Sequence, residues 1–275
     1  RLEFALLKEM SAFTFFIFLN QIIDQVNWAV DKFLLMRMAG PAVVTLYSVG
    51  GQINSLYIQM STAVSSVFIP KVNQIVAGSN DNNELTKLMT RVGRIQFLIL
   101  TLILTGFVFF GKPFIRLWAG EGYDQSYFVA LLLMVPVSVS LVQNLGIEIQ
   151  RAKNMHRVRS VAYTCLALGN VVLSILLIPA WGSIGAALGT AISLVLGNIL
   201  FMNWYYHYKI GLDMVAFWKE IGKLLPAVGL VCLLGAIYVQ FVQVSGWLVL
   251  LVSIAVFAVV YALIMWLLGM NKYEK

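Results

Sequence analysis

The 275 residues are 60% apolar and only 11% charged, with a mean hydropathy of +0.86. Soluble domains are about 45–50% apolar and about 25% charged, so a soluble globular or disordered chain is excluded. The net charge of +7, from 19 Lys and Arg against 12 Asp and Glu, belongs to cytoplasmic loops of a membrane protein rather than to a nucleic-acid surface.

The apolar runs are long, which predicts an all-α integral membrane protein rather than a barrel of short alternating strands. About 30–35 residues per span and loop give about eight transmembrane helices. In chain order they are expected at about 10–38, 43–75, 92–111, 124–150, 158–178, 183–206, 218–242 and 246–269. The chain opens on Arg1 and reads as a loop entering a helix, as a C-terminal piece of a longer protein would. Cys165 and Cys232 fall inside apolar runs and read as small core residues.

The charges set an orientation. With a cytoplasmic N-terminus, fifteen of the Lys and Arg residues lie in cytoplasmic stretches. Only Arg37, Lys112 and Arg116 lie in outer loops, and Lys32 lies within a span. This bias predicts an even number of helices with both ends of the chain cytoplasmic. Trp118, Trp181, Trp204, Trp218 and Trp247 fall near span ends, as an aromatic belt would place them.

The first two helices are the most polar. Asn20, Asp24, Asn27 and Asp31 are spaced 4, 3 and 4 apart and share one helix face. Carboxylates at membrane depth face a protein interior or a wet cavity. They therefore either wall a polar cavity or pair with a cation on a neighbouring helix. Gln52, Ser55, Gln59, Thr62 and Ser66 repeat the pattern without charge. They suit either interhelical hydrogen bonds or a second cavity wall.

Asn144, Glu148 and Arg151 form a third stripe near the cytoplasmic end, with Glu148 and Arg151 in pairing distance along a helix. The stripe reads as an interfacial ion pair or a cytoplasmic gate. Gly185, Gly189, Ser193 and Gly197 recur every four residues and predict a close helix-packing face. His156 and His207 sit apart, and no metal-ligand spacing, phosphate-binding glycine loop or catalytic elbow appears. The expectation is a chain that is not an enzyme and carries no metal or cofactor, with coupling to a proton or sodium gradient left open. It is also expected to have no nucleic-acid partner.

Several motifs resemble the bacterial polysaccharide and O-antigen flippases of the multidrug/oligosaccharidyl-lipid/polysaccharide exporter superfamily. They are Asp31 to Gly40, Leu46-Tyr47-Ser48-Val49, Phe68-Ile69-Pro70 and Gly182-Ser-Ile-Gly185-Ala-Ala. Met36-Arg37-Met38 and Val44-Thr45 depart from the family's small, apolar pattern.

The resemblance implies the second half of a fourteen-helix exporter. Residues 1–211 would form a six-helix lobe and residues 212–275 two further helices, facing an N-terminal lobe of the same protein in the bacterial cytoplasmic membrane. It implies a polyprenyl-diphosphate-linked oligosaccharide as cargo, flipped by alternating access. Asn20, Asp24, Asn27, Asp31, Gln52, Ser55 and Gln59 would line the cavity. Lys32 and Arg37 are candidate contacts for the diphosphate. A cation-coupled drug exporter of the same superfamily remains open. A membrane-embedded glycan polymerase or ligase is disfavoured, because its catalytic outer loop is missing here.

Overall fold

The computed structural model describes residues 29–242, 244–271 and 274, with isolated positions 11, 14, 15 and 18; the side chains of residues 156 and 157 are outside it. The described residues are helical, without a strand. Eleven helices are labelled here: α1 (29–38), α2 (Pro41–Ser66), α3 (Ile69–Ala77), α4 (Asn82–Ala119), α5 (Asp124–Val142), α6 (Leu145–Ala152), α7 (His156–Leu194), α8 (Met202–Tyr205), α9 (Met214–Gly222), α10 (Leu225–Phe241) and α11 (Trp247–Ile264).

Five stretches are long and apolar enough to cross a membrane: Asn82–Ala119, Asp124–Val142, Val158–Ile210, Met214–Phe241 and Trp247–Gly269. The 53-residue stretch is broken at Gly182, where φ is 53° and ψ −125°. Only glycine takes this backbone cheaply. Its two arms run antiparallel: Gly185 lies against the Leu177 backbone, Gly189 against Ser174 and Gly197 against Leu166. The stretch therefore makes two passes. The turn from α1 into α2 uses the same device, with Gly40 at φ 88° and Pro41 opening the helix.

Several predicted spans are cut where polar chemistry or proline intervenes. The span expected at 43–75 divides at Val67–Phe68 into α2 and α3, because Pro70 lies in the first turn of α3. Proline has no N–H to donate backward, but fits a helix start. Pro226 likewise opens α10, so the span expected at 218–242 becomes α9 and α10.

The span expected at 124–150 divides between α5 and α6. There the Gln143 amide donates to the Asn198 carbonyl at 2.8 Å and the Asn144 amide to Ser65 Oγ at 2.9 Å. The span expected at 92–111 is a longer helix, α4. It starts ten residues earlier at the Asp81 cap, whose carboxylate accepts from the Asn83 N–H at 2.8 Å. Hydropathy loses such a helix once Lys87, Arg91 and Arg94 carry it out of the bilayer. Its 38 residues make about 57 Å, nearly twice a hydrocarbon core of about 30 Å.

Three apolar clusters hold these helices. The central one packs α2 through α6 with α8 and α9, around Tyr57, Met89, Leu145 and Phe217. A second, with Leu35, Tyr47, Val129 and Ile178, binds α1, α2 and α5 to the α7 hairpin. The third fastens α10 and α11 to α4 through Phe110, Val231, Leu250 and Phe257. Outside them, Leu176, Leu233, Leu248 and Leu267 are among many exposed apolar side chains. An apolar exterior of this kind belongs in lipid.

Candidate functional site

The α1–α2 hairpin and the α7 hairpin meet around Asp31, which is 1% exposed. Its carboxylate accepts from Tyr47 Oη at 3.0 Å, Ser174 Oγ at 3.0 Å and Thr190 Oγ1 at 2.8 Å. Asn170 adds a further side-chain hydrogen bond. Ser174 and Thr190 each lie eight residues from Gly182, so the hairpin brings them to one level. Gly189 makes the approach possible. A methyl group there would sit 2.9 Å from Ser174 Oγ and 3.2 Å from Asn170 Oδ1.

Both sequence alternatives for Asp31 therefore miss its setting. It lies inside the packed lobe rather than on an open wall, and among the described residues no Lys or Arg pairs with it. Hydroxyl and amide dipoles satisfy the carboxylate instead. The side chains around Asp31 offer only oxygen atoms and one amide. That set matches a hard cation or a proton better than a thiolate- or imidazole-binding metal. No group of three or more His, Cys, Asp or Glu exists among the described residues.

The expected cavity stripe of α2 is placed differently. Gln52, Ser55, Gln59, Thr62 and Ser66 are all exposed, on the face opposite the buried Tyr47, Asn54, Tyr57 and Ser61. Ser55 Oγ donates to the Gly51 carbonyl at 2.9 Å, leaving its lone pairs outward. The structure thus separates Asp31 from Gln52, Ser55 and Gln59, which the sequence grouped. Asn20, Asp24 and Asn27 lie outside the described residues.

Lys32 and Arg37 are exposed, and Lys32 follows directly on the buried Asp31. Glu148 and Arg151 pair along α6 at 2.8 Å. Asn144 does not join them, since its amide is committed to Ser65. Gly185, Gly189 and Gly197 face the opposite arm of the hairpin, with Ser193 half-buried on the same helix.

Sequence reasoning missed the partners of Asp31. Ser174 and Thr190 sit in plain apolar runs, and only their equal distance from Gly182 marks them. Arg94 was counted among topogenic charges but is 4% exposed and fully engaged. Its guanidinium contacts the Glu274 carboxylate, the Glu220 carbonyl at 2.7 Å and the Gly269 carbonyl at 3.0 Å.

Residues 1–128 match the family described as polysaccharide biosynthesis protein. The probable flippase AglR of Haloferax volcanii is 25% identical over 177 residues, covering 63% of this chain and 37% of AglR. The fold is similar to that of the lipid II flippase MurJ in its inward closed conformation. The TM-score is 0.69 at 17% identity, over 90% of this chain and 51% of MurJ. In its family match, its relative and its fold, the chain is similar to polysaccharide flippases. It is a multi-pass membrane protein, and it spans about half or less of the relatives it matches. The MurJ likeness extends past α9, because 90% of the chain exceeds its first 222 residues.

Proposed function

We propose that the chain is the C-terminal lobe, with a two-helix annex, of a flippase that moves a polyprenyl-diphosphate-linked oligosaccharide across the cytoplasmic membrane by alternating access. The observation that carries this reading is the uncovered polar face of α2. Gln52, Ser55, Gln59, Thr62 and Ser66 form a stripe of amides and hydroxyls that stays exposed among the described residues. Neutral donors and acceptors at one-turn intervals suit sugar hydroxyls. They suit an apolar drug poorly, which places the drug-exporter reading second.

An opposing lobe would close this face into a cleft, and rocking of the two lobes would expose it to either side. Lys32 and Arg37 are the exposed cations of α1 offered to the diphosphate. The ion pair of Glu148 and Arg151 on α6 serves the cytoplasmic gate. The basic end of the lobe faces the cytoplasm, by the distribution of Lys and Arg. The buried oxygen set of Asp31 is where a coupling proton or sodium ion would act on this lobe. A charge there would bias the packing of the α1–α2 hairpin against the α7 hairpin, and so the equilibrium between the two lobe states.

In the full-length protein, Gln52→Leu combined with Gln59→Leu removes two sugar-binding amides from an exposed face. Surface polysaccharide is expected to fall about tenfold, the effect of about 1.4 kcal/mol on one step, with the membrane level of the protein unchanged. Export at the wild-type rate would remove α2 from the transport path.

A further inference from the structure

At the end of the lobe away from the basic loops, three helices begin at one place. A cleft of about 560 Å³ there is lined by Val43, Gln125, Ser183 and Ile184, with Trp181 and Leu188 beside them. Val43 belongs to the first turn of α2 and Gln125 to that of α5. Ser183 and Ile184 open the second arm of α7, directly after the break at Gly182. The three starts adjoin one another. Ser126 Oγ of α5 donates to the Leu46 carbonyl of α2 at 2.8 Å, and a methyl group on Gly182 would stand 3.4 Å from Val43. Val43 lies one turn before Tyr47, on the side of α2 away from Gln52 and Gln59. The cleft is therefore off the transport path.

The first-turn N–H groups of a helix have no partner within it, and the aligned peptide dipoles leave partial positive charge at that end. Among the described residues, no side chain caps the start of α2 or of α5. The first arm of α7 ends here too, at Ala180, and its carbonyl end offsets one of the three starts. The balance stays positive. No residue lining the cleft is acidic. Asp124, in the first turn of α5, is held outside it by Arg116, whose Nε and Nη2 each donate to the carboxylate at 2.8 Å. Ser183 points to a ligand independently of the helix ends. It is 0% exposed at the floor of the cleft, and its Oγ has no hydrogen-bond partner among the described residues. A buried hydroxyl left unpaired is costly. An oxyanion that accepts from it, and from the N–H groups around it, removes that cost. The exposed Gln125 adds an amide donor at the rim.

We propose that this cleft binds a phosphate group between the starts of α2, α5 and the second arm of α7, with Ser183 Oγ and the Gln125 amide as side-chain donors. Helix N-termini bind phosphate without a cationic side chain, through backbone N–H groups and the dipole. Two sources offer the same chemistry: an anionic lipid headgroup or free phosphate. Occupancy ties α2, α5 and the α7 hairpin together at one point, so binding stabilises the packed lobe.

The test uses the full-length protein in nanodiscs, with its melting temperature as readout. One arm titrates inorganic phosphate into phosphatidylcholine discs against chloride at equal ionic strength, since salt alone screens these fields. The other replaces part of the phosphatidylcholine with phosphatidylglycerol. Wild type is expected to show a saturable rise in at least one arm. In that arm, Ser183→Ala is expected to weaken the apparent affinity about tenfold, as loss of a hydrogen bond to a charged group does. Gln125→Glu sets a competing carboxylate at the rim and should abolish the rise. Gln52→Leu combined with Gln59→Leu, on the other face of α2, should respond as wild type does. A response to free phosphate in neutral discs assigns the soluble source, and a response confined to phosphatidylglycerol discs assigns the headgroup. A flat wild-type response in both arms overturns the proposal, as does a wild-type response from both Ser183→Ala and Gln125→Glu. If one of these two variants does not fold, the other decides; failure of both to fold also overturns it and leaves the cleft as part of the packing.

Discussion

Asp31 shows what a single side chain can do at membrane depth. A carboxylate there is costly unless its lone pairs are engaged, and here three hydroxyls from three different segments engage them. Hydrogen bonds to a charged acceptor contribute about 1.5–3 kcal/mol each. Tyr47→Phe deletes one donor while keeping the ring, so denaturation in detergent is expected to show a loss within that range. Asp31→Asn keeps the shape and removes the negative charge, so folding should survive while any ion dependence of transport in the full-length protein disappears. Transport by the Asp31→Asn variant that keeps the wild-type ion dependence would exclude Asp31 as the coupling residue.

At the scale of the helix, α7 is two membrane passes folded tightly around Gly182. Their contact depends on residues without side-chain bulk. Gly189→Ala would push a methyl into Ser174 and Asn170, two groups of the Asp31 cluster. Overpacking of this kind costs about 1–3 kcal/mol, so the melting temperature should fall. Gly51→Ala meets no atom within 4 Å and removes a flexible residue from a helix, so it should be neutral or slightly stabilising. Equal effects at both positions would show that the hairpin is not tightly packed at Gly189.

The same elements show which parts of the fold could be read in the sequence. Apolar length located the five stretches long and apolar enough to cross a membrane, because the bilayer imposes it. The four-residue glycine spacing marked the face that the α7 hairpin buries. Boundaries were missed where a helix continues outside the bilayer, as α4 does through Lys87, Arg91 and Arg94. They were also missed where Pro70 or Pro226 restarts a helix after a two-residue break. The polar stripe of α2 was visible because a helix repeats every 3.6 residues. The neighbours of Asp31 were not, since Ser174 and Thr190 lie more than 140 positions away and look like any small polar residue in an apolar run.

For the whole molecule, the uncovered face of α2 leaves the described lobe open on one side. A cleft with one wall does not exclude water or lipid. The chain of residues 1–275, reconstituted alone in liposomes, is therefore expected to leave a fluorescent lipid-linked oligosaccharide on its original leaflet. The full-length protein should move it. Flipping by the 275-residue chain at the full-length rate would mean that this lobe, or two copies of it, suffices.

The length of α4 has one further consequence. The C-terminal annex is fastened to it at two heights. Arg94 holds Glu274, past α11, and Tyr261 bonds to Thr101 and to the Leu98 carbonyl, both at 2.7 Å. The third apolar cluster continues that grip outward through Phe110 and Phe257, whose rings lie 5.7 Å apart. Two such fastenings along one rod prevent swivelling, so α10 and α11 travel wherever α4 points. A lean of about 10° in a rod about 57 Å long carries its tip by about 10 Å. The annex is thus cargo on a mast, and a label on α11 would report the lean of α4 directly.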